Sequence, residues 1–163
     1  MTDIVSPSRR SRMMGGIRNK GTKPELIVRN LLHSDGYRYR LHRNDLPGSP
    51  DVVMLGRKIA IFVHGCFWHQ HPKCKYARLP SNNADFWRQK LDQNVLRDKR
   101  AIADLVVAGW RVLVVWECAT RTRPAISLLR TLMNQWINSD AKTGEIALNQ
   151  DLNIHLSTDS SAL

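Results

Sequence analysis

The strongest chemical signal in this chain is a set of cysteines and histidines between residues 64 and 118. Cys66, His71 and Cys74 lie in one segment, HGCFWHQHPKCKYARLP (64–80), separated by four and two residues. Thiolates and an imidazole at this spacing suit tetrahedral zinc, which closes a structural site with four ligands. Cys118, just past an apolar run, is the candidate fourth ligand, and with it every cysteine is used. Bound zinc would explain how a segment with neither helical nor strand period keeps one shape. The plain alternative is three small buried hydrophobes that happen to be cysteines.

Acid and imidazole chemistry comes next. Asp51 follows Gly48-Ser49-Pro50 and opens a short apolar run, where a carboxylate can hold a hard divalent cation such as magnesium. A turn-forming aspartate explains the same residue more simply. His64 and His69 remain once His71 is assigned to zinc; either can exchange a proton with water or a leaving oxygen, or be a satisfied structural histidine. His33 and His42 have no such company and read as ordinary surface or groove residues. Phe67-Trp68 and Phe86-Trp87 are adjacent aromatic pairs, and in each pair one ring must face away from a common core. Outward aromatics beside a cationic surface suit wedging between bases, whereas Trp110, Trp116 and Trp136 fit core packing.

The elements that must position these groups read as one α/β domain around a mixed sheet. Thr22 caps a helix with Pro24 and Glu25 in its first turn; Leu26, Ile27, Asn30, Leu31 and Leu32 set its inner face, and Gly36 stops it. Tyr37 to His42 alternates aromatic or apolar with basic residues, as a half-buried strand would. Strands follow at Val52–Leu55 and Lys58–Val63, joined by a tight Gly56-Arg57 turn. A long charged helix spans Asp85–Ala108, with Phe86, Leu91, Val95, Ile102, Leu105 and Val106 inward and Gly109 ending it. Val112–Trp116 is an apolar strand, and Pro124–Asn138 a last amphipathic helix. The expected layout is a basic arm over 1–22, the domain over 23–138, and a polar tail over 139–163 with one weak strand-like patch at Ile154-His155-Leu156.

Charge narrows the class of partner. Twenty-five Lys and Arg against 14 Asp and Glu leave a net +11 across 163 residues. An excess of that size favours a polyanion, and the first 23 residues, with Arg9, Arg10, Arg12, Arg18, Lys20 and Lys23 against one acid, suit phosphate contacts. No apolar run approaches the roughly 20 residues that cross a bilayer, and the N-terminus lacks the core of a secretory signal, so a soluble cytosolic protein without a membrane partner is expected.

Taken together, several stretches resemble the very short patch repair endonucleases. They are Gly21-Thr-Lys-Pro-Glu25, Tyr39-Arg-Leu-His-Arg43, Asp45-Leu-Pro-Gly-Ser-Pro-Asp51, Ile61-Phe-Val-His-Gly-Cys-Phe-Trp-His69, Phe86-Trp87 and Gly109-Trp-Arg-Val-Leu-Val-Val-Trp-Glu-Cys118. The resemblance implies a restriction-endonuclease-like fold and a nick 5′ to the thymine of a T:G mismatch left by deaminated 5-methylcytosine. It implies Asp51 as magnesium ligand beside the main-chain carbonyl of residue 63, and His69 as the base. His64 and Asp98 become supporting groups, and Glu25 lies near the site. It also implies Cys66, His71, Cys74 and Cys118 as zinc ligands and Phe67, Trp68 and Trp87 as intercalating aromatics. A monomer in the bacterial cytoplasm at the nucleoid, linked to a cytosine-5 DNA methyltransferase and mismatch-repair proteins, belongs to the same expectation. Two positions depart from the family pattern. Val63 stands where better-known members have threonine, harmless if only the carbonyl is used and not if the hydroxyl is. The loop His71-Pro-Lys-Cys74 is one residue longer than expected.

Overall fold

The computed structural model describes residues 20–148 and 154–158. Helix α1 (Lys23–Ser34) begins where the sequence caps it: Thr22 is extended, and its Oγ1 accepts from the Glu25 N–H at 3.4 Å. Pro24 sits in the first turn, where its missing N–H leaves no bond unmade. The buried stripe runs through Glu25, Val28 and Leu32. Leu26, expected inside, is 43% exposed, because spacing of three and four residues selects one narrow face.

Six strands form one mixed sheet in sequential order: β1 (Arg40–Leu41), β2 (Val52–Met54), β3 (Ile59–His64), β4 (Arg111–Trp116), β5 (Thr143–Leu148) and β6 (Ile154–Ser157). The β1–β2, β2–β3 and β5–β6 pairs are antiparallel; β3–β4 and β4–β5 are parallel. Parallel neighbours need crossovers. Helix α2 (Ala84–Val107) supplies the first and α3 (Arg123–Ile137) the second, capped by Thr122 Oγ1 accepting from the Ala125 N–H at 3.2 Å.

Strand alternation divides the core in two. Ile59, Ile61, Leu113 and Val115 pack with α1 and α3, while Ala60, Phe62, Val112, Val114 and Trp116 face α2 through Leu105. His64 ends β3 on the α2 side, and Asp98 lies on α2 itself, so this layer assembles part of the chemistry. Gly48, three residues before Asp51, lets the chain pass close to α2: it has φ +72°, and a Cβ there would come 2.7 Å from Ala101 Cβ.

Three further expectations need correction. The strand expected over 37–42 shrinks to Arg40–Leu41; Tyr37 and Tyr39 instead anchor by their hydroxyls, to Asn134 Oδ1 (2.7 Å) and the Arg29 carbonyl (3.0 Å). Phe86 is 58% exposed rather than inward. The polar tail expected from 139 contains two strands of the central sheet. Ile146 is fully buried, and Gly144 lies against Trp136, whose Nε1 would be 2.4 Å from an added Cβ. Parallel pairing with β4 and the Trp136 face hold this segment, and neither shows in local composition. Among the described residues, no helix is long and apolar enough to cross a membrane.

Candidate active site and metal centre

Asp51 stands immediately before β2, where antiparallel pairing with β3 brings it to the end of that strand. Its Oδ2 accepts from the Val63 N–H at 2.7 Å. Burial pushes the Asp51 carboxyl up to about 6; the Val63 N–H pulls it down, nearby Glu25 raises it, and the charge of His69 lowers it. Glu25, only 2% exposed, enters from α1. Its Oε2 accepts from the Gly21 N–H at 2.9 Å, and its Oε1 lies 3.4 Å from Arg29 Nη1 and 2.9 Å from His42 Nε2. Glu25, His42 and Asp51 each offer one ligand atom within a 4.8 Å cluster, close enough to hold a cation together.

A second cluster adjoins the first. His69 Nδ1 lies 2.6 Å from Asp98 Oδ2, and the His69 ring stacks on His64 with centroids 3.8 Å apart and planes 2° from parallel. Burial, helped by the charge of His69, holds His64 well below the usual imidazole range, so the stacked pair avoids carrying two positive charges. His64, His69 and Asp98 thus come together as an imidazole pair with one carboxylate orienter. Val63, whose N–H holds Asp51, precedes His64 on β3, and His64 stacks on His69, so the two clusters lie side by side at the end of that strand.

Beyond the ends of β3 and β4, Cys66, His71, Cys74 and Cys118 converge, with one ligand atom from each within 4.8 Å of the others. His71 Nδ1 lies 3.7 Å from Cys66 Sγ and 3.6 Å from Cys118 Sγ, and the His71 ring stacks on Trp116 at 4.3 Å. Hydrogen bonding from Cys66 and from His71 holds Cys118 below the ordinary thiol range. The Leu148 N–H also points to Cys118 Sγ at 3.3 Å, tying β5 to the cluster. These four residues could hold one metal ion.

Phe67, Trp68 and Trp87 gather in edge-to-face contacts at 5.1, 5.5 and 6.1 Å, and Phe86 adds a fourth ring 5.5 Å from Trp87. Asn94 Nδ2 donates to the Trp68 carbonyl at 3.1 Å, pinning the loop to α2. Lys20 is exposed; Arg12 and Arg18 lie outside the described residues.

The geometry has close sequence relatives. Residues 2–75 match the family described as DNA mismatch endonuclease Vsr. The chain is 37% identical over 148 residues to the DNA mismatch endonuclease Vsr of Escherichia coli K12, spanning 90% of this chain and 94% of that protein. The chain belongs to the Vsr family of DNA mismatch endonucleases. It is also 53% identical over 118 residues to the type II nicking enzyme V.XorIIP of Xanthomonas oryzae, covering 72% of this chain and 86% of the relative. With V.NmeAIP of Neisseria meningitidis, another type II nicking enzyme, it shares 42% over 123 residues, 76% of this chain and 87% of that one. This Vsr-family protein is therefore a hydrolytic DNA endonuclease.

The structure shows the local geometry at the two positions expected to depart from the family pattern. Val63 meets Asp51 through its main-chain N–H, a contact that any side chain permits. The loop His71-Pro-Lys-Cys74 turns through Lys73 at φ +58°, with the Cys74 N–H donating to the His71 carbonyl at 3.3 Å, and delivers Cys74 to the cluster. Sequence reasoning missed two members of the site. His42, read as a surface or groove histidine, contacts Glu25; its place in the motif Tyr39-Arg-Leu-His-Arg43 was the available signal. Glu117 also went unnoticed. Its Oε2 accepts from the Cys66 N–H at 3.2 Å, and its Oε1 pairs at 2.8 Å with Arg121, whose guanidinium lies 3.8 Å over the Tyr76 ring.

Proposed function

We propose that this Vsr-family enzyme nicks one strand of duplex DNA 5′ to the thymine of a T:G mismatch. In this reading magnesium is held at Asp51 and structural zinc by Cys66, His71, Cys74 and Cys118. The supporting observation is the His69–Asp98 dyad, 2.6 Å apart, whose imidazole stacks on His64, the neighbour of the Val63 that holds Asp51 by its N–H. A non-catalytic zinc module that only binds DNA has no use for that pairing.

Donor chemistry distinguishes the two ions. Asp51 and Glu25 offer hard carboxylate oxygens, and in this reading the Val63 main-chain carbonyl adds another, a set that suits magnesium. Three sulfurs and one nitrogen suit zinc. Zn–S near 2.3 Å and Zn–N near 2.0–2.1 Å at the tetrahedral angle require S···N edges of about 3.6 Å. The separations of 3.7 and 3.6 Å fit that edge. Bound magnesium would supply charge stabilisation at the scissile phosphate, and bound zinc would brace the loop that carries His69.

The chain's own side chains do the rest. With Nδ1 of His69 tied to Asp98, Nε2 is the nitrogen left to take a proton from attacking water. Asp98 then steadies the imidazolium, and the stacked, neutral His64 keeps the ring from turning. Phe67, Trp68 and Trp87 form a wedge whose unstacking cost is lowest where a base pair is already mismatched. Arg12, Arg18 and Lys20 bind phosphates. Because T:G pairs arise from deaminated 5-methylcytosine, a cytosine-5 methyltransferase creates the need for this activity, which the enzyme meets as a monomer alongside mismatch-repair proteins.

The test uses end-labelled duplexes carrying T:G, C:G or 5-methyl-C:G at one position, in several sequence contexts, with magnesium present or withheld. A single magnesium-dependent cut on the thymine strand of the T:G duplex is expected. Equal cutting of the C:G duplex would make the protein a restriction-like enzyme of the same fold. Tight binding without cutting of any duplex would make it a binding module.

A further inference from the structure

His42 takes no part in the reaction proposed above, yet it sits beside two carboxylates of the hydrolytic centre. Its N–H donates to the Asp51 carbonyl at 3.2 Å, so the backbones of the two residues are held together beyond the end of β1. At φ +49° the chain leaves the strand in the left-handed region, uncommon for a residue with a Cβ. The ring is 18% exposed. Nε2 lies 2.9 Å from Glu25 Oε1, a hydrogen-bond distance, and Nδ1 lies 3.9 Å from Asp51 Oδ1. The second separation is too long for a direct hydrogen bond.

The two carboxylates come from different elements, Glu25 from α1 and Asp51 from the start of β2, and like charges in a buried site push apart. Glu25 is also held by the Gly21 N–H and by Arg29, both on its own side of the site. Neither of those contacts reaches Asp51, whereas the His42 ring faces both groups. A left-handed histidine with its ring inside the site is strain that the surrounding contacts must hold in place.

We propose that His42 is a positioning residue: Nε2–H fixes Glu25, and the ring spaces that carboxylate from Asp51, so that both are oriented before a divalent cation arrives. This rests on the reading that Asp51 holds magnesium. The role needs a hydrogen on Nε2 and the reach of the ring; it does not need a change in the charge of His42.

Three variants separate reach from fold. Asn tolerates the left-handed backbone but is too short to reach Glu25. His42→Leu keeps bulk and loses the donor, and His42→Gln can return an N–H near the Nε2 position. Nitrogen NMR of the metal-free protein is expected to show a hydrogen on Nε2 of His42; a bare Nε2 overturns the assignment whatever the substrate proves to be. In single-turnover nicking, the magnesium concentration giving half-maximal rate should rise about tenfold or more in His42→Leu and His42→Asn, the usual effect of losing a group that orients a metal ligand. His42→Gln should recover to within about threefold of wild type, and metal-free duplex binding should stay within about twofold in all three. Wild-type magnesium dependence in the Leu and Asn variants, or a Gln variant as impaired as Leu, refutes the proposal. If Leu does not fold, Asn decides. A wild-type enzyme that nicks paired DNA equally well defeats the mismatch reading while leaving the NMR and magnesium results for His42 intact.

Discussion

Replacing Asp51 with asparagine should abolish nicking and at the same time stabilise the metal-free protein. Asparagine keeps the shape and retains an oxygen that can accept from the Val63 N–H, now at 2.7 Å. What it removes is a charge that burial disfavours. The carboxyl rises from 3.8 to about 6 on folding, a difference of about two pH units. At about 1.4 kcal/mol per unit, ionised Asp51 burdens the folded state by about 3 kcal/mol at neutral pH. That figure is a ceiling, because the side chain is 19% exposed and solvent relaxes part of the load. A folded-state value raised above the unfolded one means that the native protein binds this proton more tightly. The penalty is therefore absent below pH 3.8, grows between 3.8 and about 6, and stays constant above. For a chain of this length 1 kcal/mol moves the midpoint by roughly 2–4 °C, so Asp51→Asn should melt up to roughly 6–12 °C above wild type at pH 7.5. Calorimetry across pH 4.5 to 8 checks it, with the gap closing toward the acid end. Added magnesium should raise the wild-type midpoint and leave the variant unmoved. A variant less stable than wild type at pH 7.5, or a gap that widens as pH falls, would refute the electrostatic reasoning.

Three further outcomes follow from other parts of the molecule. Freshly purified protein should contain one zinc per chain by elemental analysis, resistant to mild chelation. Cys118→Ser should lower that content and cost several kcal/mol in denaturant unfolding, because the loop loses its brace. Gly144→Ala should destabilise the fold by about 1–3 kcal/mol in the same assay, since the new Cβ meets the buried Trp136 ring; unchanged stability would mean that β5 does not pack there. Trp68→Ala should weaken binding to T:G duplex roughly tenfold or more in a fluorescence titration, with less effect on paired duplex, and equal losses on both would count against a wedge.

Much of the scaffold was readable from local signals. Thr22, Pro24 and Glu25 mark the start of α1 with the residue types that a helix N-terminus uses, and Gly109 follows α2 at φ +87°. The apolar runs at 52–54, 59–64 and 111–116 became β2, β3 and β4 because a sheet covered on both faces demands continuous hydrophobicity. The Cys and His spacing likewise pointed to the cluster that the structure brings together, including Cys118 from a separate element.

What remained hidden depends on partners far away in the chain. Thr143–Leu148 follows a stretch rich in polar residues and is a strand because β4 pairs with it on one side and β6 on the other. Phe86 has the apolar character of a core residue, but the turn at Asn83, with φ +56°, starts α2 at a phase that leaves it on the aromatic rim. His42 resembles any surface histidine until Glu25, 17 positions earlier, and Asp51, nine later, are brought against its ring. Residue types announce chemistry; which of them meet is settled by register, and register is not local.

Single-turnover nicking of a T:G duplex by wild type, Asp51→Asn, His69→Ala and the double variant tests the central claim most directly, because groups serving one hydrolytic step lose their effects non-additively. Each single variant is expected to lose at least roughly a hundredfold in rate, and the double variant to be no slower than the worse single. Losses that multiply in the double variant, or a near wild-type rate with either residue gone, would contradict a shared centre at the end of β3.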